Sequence, residues 1–177
     1  MTTNFEDRLR HGRIMIVDDE VKTLCLIEAV LTRFGFTNVL KEPNPIRAIE
    51  DFDDFKPDLI LTDLWMPQVT GWQIMEHVRG AMPREDFLPI LVLTGSFDGA
   101  DKRRALVAGA TEFLLKPFDP SELLMRIRTL LRTRFQHLEI QEQNRSLEAR
   151  VHERTERLAE AMQQLKDTQK QVVQQER

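Results

Sequence analysis

Five short apolar runs, each followed by a stretch with helical spacing, confine the first 120 residues of this chain to very few folds. Arg13-Ile-Met-Ile-Val17, Asn38–Lys41, Leu59-Ile-Leu-Thr62, Pro89-Ile-Leu-Val-Leu93 and Glu112-Phe-Leu-Leu115 read as strands. Between them, helices are predicted through Leu24, Ile27, Val30, Leu31 and Phe34 (ended by Gly35), then over Ile46–Phe52, Gly71–Arg79 and Asp101–Ala108. Unbroken apolar strands are expected where helices cover both faces of a parallel sheet, because neither face then meets water. The alternation predicts a doubly wound α/β domain.

Punctuation changes at Pro120. All 7 glycines and all 8 prolines lie at or before it, and the residues after it are rich in Glu, Gln, Arg, Leu and Ala. With the helix-ending residues gone, one continuous helix is expected, with Ser121 as its cap. The chain therefore divides into an N-terminal tail (1–12), an α/β domain (13–133) and a helical segment (134–177).

Up to Phe135 the helix has an apolar face that serves the domain: Leu123, Leu124, Ile127, Leu130 and Leu131. Beyond it the pattern narrows to a heptad seam. Asn144, Val151, Leu158, Leu165 and Val172 recur every seven residues; Ile140, Leu147 and Ala161 take the alternate position, which Arg154, Thr168 and Gln175 weaken. Asn144 at an a-type position favours a two-stranded, parallel, in-register pair, so a homodimer through 134–177 is expected. A solvated lone helix and an antiparallel pair are the alternatives. The helix runs to Arg177 without a stop signal, which predicts an output domain absent from this chain.

Composition narrows the function classes. A net charge of -4 gives no attraction to nucleic acid or an anionic membrane, and no apolar run reaches the ~18 residues of a membrane span. Arg145, Arg150, Arg154 and Arg157 are interspersed with glutamates and belong to no helix-turn-helix, so no nucleic-acid contact is expected. The single cysteine, Cys25, excludes an internal disulfide and fits a reducing cytoplasm; its apolar helical setting predicts burial. His152 and the acidic Glu50–Asp54 stretch read as solvated.

In a doubly wound fold, ligands bind beyond the carboxyl ends of the strands. Asp18, Asp19 and Glu20 follow the first predicted strand, Asp63 the third, Thr94 the fourth and Lys116 the fifth. Crowded carboxylates repel one another unless a cation sits among them, and an all-oxygen donor set suits Mg²⁺. A carboxylate also attacks phosphorus as a nucleophile, giving an acyl phosphate. A metal, a lysine and a hydroxyl then stabilise the transferring group. Asp63, Lys116 and Thr94 supply the carboxylate, the ammonium and the hydroxyl.

Four segments, in order, carry a family resemblance: Ile16-Val17-Asp18-Asp19-Glu20, Asp63-Leu64-Trp65-Met66-Pro67-Gln68-Val69-Thr70-Gly71, Leu93-Thr94-Gly95 and Phe113-Leu114-Leu115-Lys116-Pro117-Phe118. Residues 13 to about 133 resemble the receiver domain of response regulators in two-component signalling. The resemblance implies a flavodoxin-like, five-stranded parallel sheet of order 2-1-3-4-5. Asp63 then accepts a phosphoryl group from a histidine kinase or phosphotransfer protein. Asp19 is a direct Mg²⁺ ligand with Asp63 and the Trp65 backbone carbonyl, and Asp18 acts nearby through water. Lys116 contacts the phosphoryl oxygen, Thr94 moves inward to bond it, and Phe113 turns into the space left behind. Phe113 lacks the tyrosine hydroxyl common at this position, so its switching would rest on packing alone. The Lys116–Pro117 bond is expected to be cis. Trp65 is placed to shield the acyl phosphate from water. The tail around Leu147–Leu158 resembles linkers ahead of histidine-kinase and cyclic-di-GMP phosphodiesterase output domains.

The expectation is a signalling switch rather than an enzyme. Two rival readings are an aspartyl-phosphate phosphatase and a dimerisation adaptor that is never phosphorylated. The first usually carries Asp-x-Asp on its nucleophile loop, whereas Leu64-Trp65 follows Asp63 here.

Overall fold

The computed structural model describes residues 5–83, 85–95 and 99–175. In chain order the elements are α1 (Phe5–Arg10), β1 (Ile14–Val17), α2 (Val21–Arg33), β2 (Val39–Glu42), α3 (Pro45–Glu50), α4 (Phe52–Phe55), β3 (Leu59–Asp63), α5 (Gly71–Ala81), β4 (Ile90–Thr94), α6 (Gly99–Ala108), β5 (Glu112–Leu115) and α7 (Pro120–Gln175). The strands form one parallel five-stranded sheet of order β2-β1-β3-β4-β5, a doubly wound, flavodoxin-like topology.

Side chains of the central strands alternate between the two faces of the sheet. Met15, Val17, Ile60, Ile90 and Val92 form a core with Trp72, Ile74, Met75 and Val78 of α5. Ile14, Ile16, Leu59, Leu61, Leu91 and Leu93 point to the opposite face and are equally buried, so both faces are covered. Only β2, at the edge, is half-buried throughout.

The α2 helix buries Thr23, Leu24, Ile27, Val30 and Leu31. Cys25 is exposed, contrary to the burial expected of it. One residue beyond Leu24 lies about 100° round a helix, which takes Cys25 off the buried stripe. Gly35 ends α2 with φ +84, a left-handed conformation that glycine adopts without strain.

The single helix expected over Ile46–Phe52 is two short ones that meet at Asp51. Asn44 caps the first, its side chain accepting a hydrogen bond from the Ile46 amide at 3.0 Å. The cap of α7 is also displaced from its expected place. Asp119, not Ser121, accepts from the Ser121 and Glu122 amides at 2.7 and 3.2 Å, and Pro120 is the first helical residue. Those amides hold the Asp119 carboxyl below its usual pKa. Proline suits the first helical position because its missing N–H would have had no partner there.

The chain forms two compact units, Met1–Phe135 and Gln136–Arg177, and α7 contributes to both. In the first unit α7 buries Leu123, Leu124, Ile127, Leu130, Leu131 and Phe135. In the second, no residue from Gln136 to Lys166 is buried. His152 is exposed there, its Nε2 lying 3.2 Å from a carboxylate oxygen of Glu156. Among the described residues no helix is long and apolar enough to cross a membrane.

Candidate functional site

Parallel register brings several strand ends to one level. Val17 pairs with Thr62, Asp63 with Leu93 and Thr94 with Leu115. Asp18 and Asp19 therefore leave β1 beside Asp63 at the end of β3, and Lys116 leaves β5 beside Thr94 at the end of β4. Oxygen atoms of Asp18, Asp19 and Asp63 all lie within 4.8 Å of one another. The three differ in depth: Asp18 is fully buried, Asp63 half-buried and Asp19 exposed.

Lys116 ties the group together. Its ammonium donates to Asp18 Oδ2 at 2.6 Å and to Asp63 Oδ2 at 2.7 Å. Its backbone amide donates to the Thr94 carbonyl at 2.8 Å, which fixes the root of the side chain to the neighbouring strand. The second oxygens of the carboxylates are also engaged: Asp18 Oδ1 accepts from the Glu20 amide at 2.9 Å, and Asp63 Oδ1 from the Trp65 amide at 3.3 Å. The Lys116–Pro117 bond is cis.

The electrostatics match this depth. Burial pushes the Asp18 carboxyl above its ordinary pKa, although Lys116 and the Glu20 amide pull the other way. Burial also opposes the Lys116 charge, but its hydrogen bonds to Asp18 and Asp63 outweigh that and raise its pKa. Three carboxylates against one ammonium leave a surplus of negative charge, which an oxygen-seeking dication would balance.

The loop after Asp63 folds back onto it. The Gly71 amide donates to the Leu64 carbonyl at 3.1 Å, and a Cβ on Gly71 would sit 2.2 Å from the Asp63 carbonyl oxygen. No side chain fits there. Gln68 occupies the left-handed region with φ 68, and the Gln73 side chain accepts from the Thr70 amide at 2.9 Å as α5 begins. Trp65 in this loop is 57% exposed.

Thr94 is fully buried. Phe113, opposite Val92 in β5, is half-buried and packs on the core beneath the sheet edge. Glu20 is exposed at the start of α2, where its carboxylate accepts from the Thr23 hydroxyl at 2.8 Å. Glu50, Asp53 and Asp54 are exposed.

Two contacts between α5 and α6 were invisible in the sequence. Arg79 donates to the Gly109 carbonyl at 2.5 Å, just past the end of α6, and the Arg104 guanidinium lies 4.7 Å from the Trp72 ring centre. They anchor the helix that follows Thr94. Each partner is some thirty residues away in sequence, beyond the reach of any local pattern.

A family model for the response regulator receiver domain matches residues 14–128. The transcriptional activator protein IrlR of Burkholderia pseudomallei is 35% identical over 120 residues, covering 68% of this chain and 50% of that protein. The chain thus spans about half the length of the curated relatives it matches. Chemotaxis protein CheY4 of Vibrio cholerae is similar in structure, with a TM-score of 0.63 and 28% identity, covering 68% of this chain and 98% of that one. A response regulator signal receiver domain from Bermanella marisrubri gives a TM-score of 0.60 at 32% identity, with the same coverage. With acidic, hydroxyl and lysine side chains at the ends of its parallel strands, this chain belongs to the response regulator receiver domains of two-component signalling.

Proposed function

We propose that the chain is the phosphoryl acceptor of a phosphorelay, with Asp63 as the residue modified. The carrying observation is the Lys116 ammonium, which bridges Asp18 and Asp63 at 2.6 and 2.7 Å beside a third carboxylate. This arrangement holds the Asp63 carboxylate in place as the nucleophile and puts positive charge where phosphoryl oxygens would arrive.

The donor is a histidine kinase or phosphotransfer protein. An Asp63 carboxylate oxygen attacks the phosphorus of a phosphohistidine; the N–P bond breaks, its electron pair stays on the imidazole, and an acyl phosphate forms. Asp19, Asp63 and the Trp65 carbonyl would hold Mg²⁺, with Asp18 acting through water. The chemistry such an ion would supply there is neutralisation of charge on the transferring oxygens. Lys116 turns from Asp63 to a phosphoryl oxygen, Thr94 moves inward to donate to another, and Phe113 repacks into the space vacated. Added negative charge thereby biases a local packing choice.

The domain limits follow the same reading: an N-terminal tail (1–12), a receiver (13–133) and a coiled-coil linker (134–177) that pairs with a second copy. Exposed Ile140, Leu147, Val151, Leu158 and Leu165 support this pairing. The linker passes the signal to an output domain outside this chain. No nucleic-acid contact is proposed for these residues, because the tail's arginines are interspersed with glutamates and Arg157 pairs with Glu153 at 2.6 Å. The protein is read as a cytoplasmic acceptor rather than a turnover enzyme.

Intact-mass measurement after incubation with Mg²⁺ and a small phosphodonor tests this. One phosphoryl adduct is expected on the wild-type chain and none on Asp63→Asn. An adduct of equal yield on the variant would overturn the assignment of Asp63, and continuous release of phosphate at enzymatic rates would favour the phosphatase.

A further inference from the structure

Helix α1 and the last turns of α7 in the first unit lie at the margins of the family match, which covers only residues 14–128. They are joined by a set of contacts that the phosphoryl-acceptor chemistry does not use. The Glu6 carboxylate pairs with the Arg128 guanidinium. One helical turn on, Arg132 lies over the Phe5 ring at 5.9 Å, and Arg8 lies over the Phe135 ring at 4.9 Å. The spacing 128, 132, 135 is the i, i+4, i+7 stripe of a single helix face, so α1 grips α7 along one line.

Below these polar and aromatic contacts the attachment is apolar. Leu9 is fully buried, and the Gly12 backbone approaches Leu131 so closely that a Cβ there would lie 3.1 Å from a Leu131 methyl carbon. The segment is also fastened to the body of the domain. The Arg10 carbonyl accepts from the Thr37 amide at 3.3 Å, and the His11 carbonyl from the Asn38 side chain at 2.8 Å. A second grip reaches α7 from about 120° further round its axis. There Arg134, itself buried, donates to the Phe87 carbonyl at 2.6 Å and pairs with Asp86, in the loop that leads into β4.

We propose that α1 is a clasp: with Arg134, it fixes the axial rotation of α7 over Arg128–Phe135, the last turns before the first unit ends. One grip alone leaves a helix free to roll about the line of contact; two grips separated in angle remove that freedom. A displacement of the domain body is then carried to the end of this segment at Phe135 instead of being absorbed by fraying of these turns. This holds whether or not Asp63 is phosphorylated.

Amide hydrogen exchange of the full chain tests the clasp. Glu6→Gln should speed exchange across 128–135 roughly two- to five-fold, the range expected for loss of a half-exposed ion pair. Glu6→Gln combined with Arg8→Ala should speed it roughly tenfold or more. Amides of β1 and β3 should exchange as in the wild type. The charge swap Glu6→Arg with Arg128→Glu should return 128–135 toward wild-type protection. Unchanged exchange in 128–135 for the double variant would overturn the proposal. So would an equal rise throughout β1 and β3, which would make α1 merely part of the core, and so would failure of the swap to restore protection.

Discussion

The two parts of α7 each carry an apolar stripe at helical spacing, and the stripes meet opposite fates. Before Phe135, Leu123, Ile127 and Leu131 are fully buried. Beyond it, Val151, Leu158 and Leu165 recur every seven residues but are 62%, 63% and 68% exposed. Periodicity alone therefore states that a helix has a face to hide, not what hides it. In the first part the cover comes from the same chain, through the sheet and α1. In the second the cover must come from elsewhere, and a second copy is the proposed source.

The largest effect expected from this contrast comes from matched truncations. Ile127→Ala should cost about 2–5 kcal/mol of unfolding stability, because it opens a cavity among fully buried neighbours. Leu158→Ala, a comparable loss of side chain, should leave urea unfolding of the receiver unchanged at low protein concentration. It should instead weaken self-association, read by light scattering or sedimentation. Equal destabilisation by both would show that the tail packs within its own chain.

A smaller effect comes from backbone crowding. Gly71→Ala forces a methyl against the Asp63 carbonyl and should cost about 1–3 kcal/mol. It should also slow phosphoryl uptake by shifting the loop that carries Trp65. Ala161→Gly, the reverse change in the tail, should cost about 1 kcal/mol of helix stability and leave phosphoryl uptake untouched. Denaturant titration together with the intact-mass assay separates the two.

The smallest effect lies where α7 begins. Because the folded pKa of Asp119 is below its ordinary 3.8, its contribution is present above that value and is lost as pH falls through the folded pKa. Asp119→Ala should lower Tm slightly at neutral pH, and the gap from wild type should close in acid. A gap that persists unchanged at low pH would remove the charged cap as its cause.

Much of the fold was legible because its signals are local. Five apolar runs with helical stretches between them led to a parallel sheet, and the polar residues just past those runs are the ones the sheet edge gathers. What escaped was either fine phase or long range. Cys25 sits among apolar neighbours in sequence, but its angle on α2 puts it outside. Asp119 rather than Ser121 caps α7, because Pro120 can itself be the first helical residue. Asp51 divides one anticipated helix into two. Helix α1 has only six residues and no periodic signal, so its place against Arg128 and Phe135 emerges only from tertiary structure.

Asp18 and Asp19 are consecutive residues, yet one is sealed inside the protein and the other is open to solvent. Among the described residues the site consequently has a buried floor at Asp18 and an exposed side at Asp19. On the proposed function, small ions and phosphate donors would approach from the Asp19 side, while Asp18, held by Lys116, closes the rear. On that reading, a group arriving at the exposed side would reach the carboxylates without any opening of the sheet, so its arrival would not wait on unfolding.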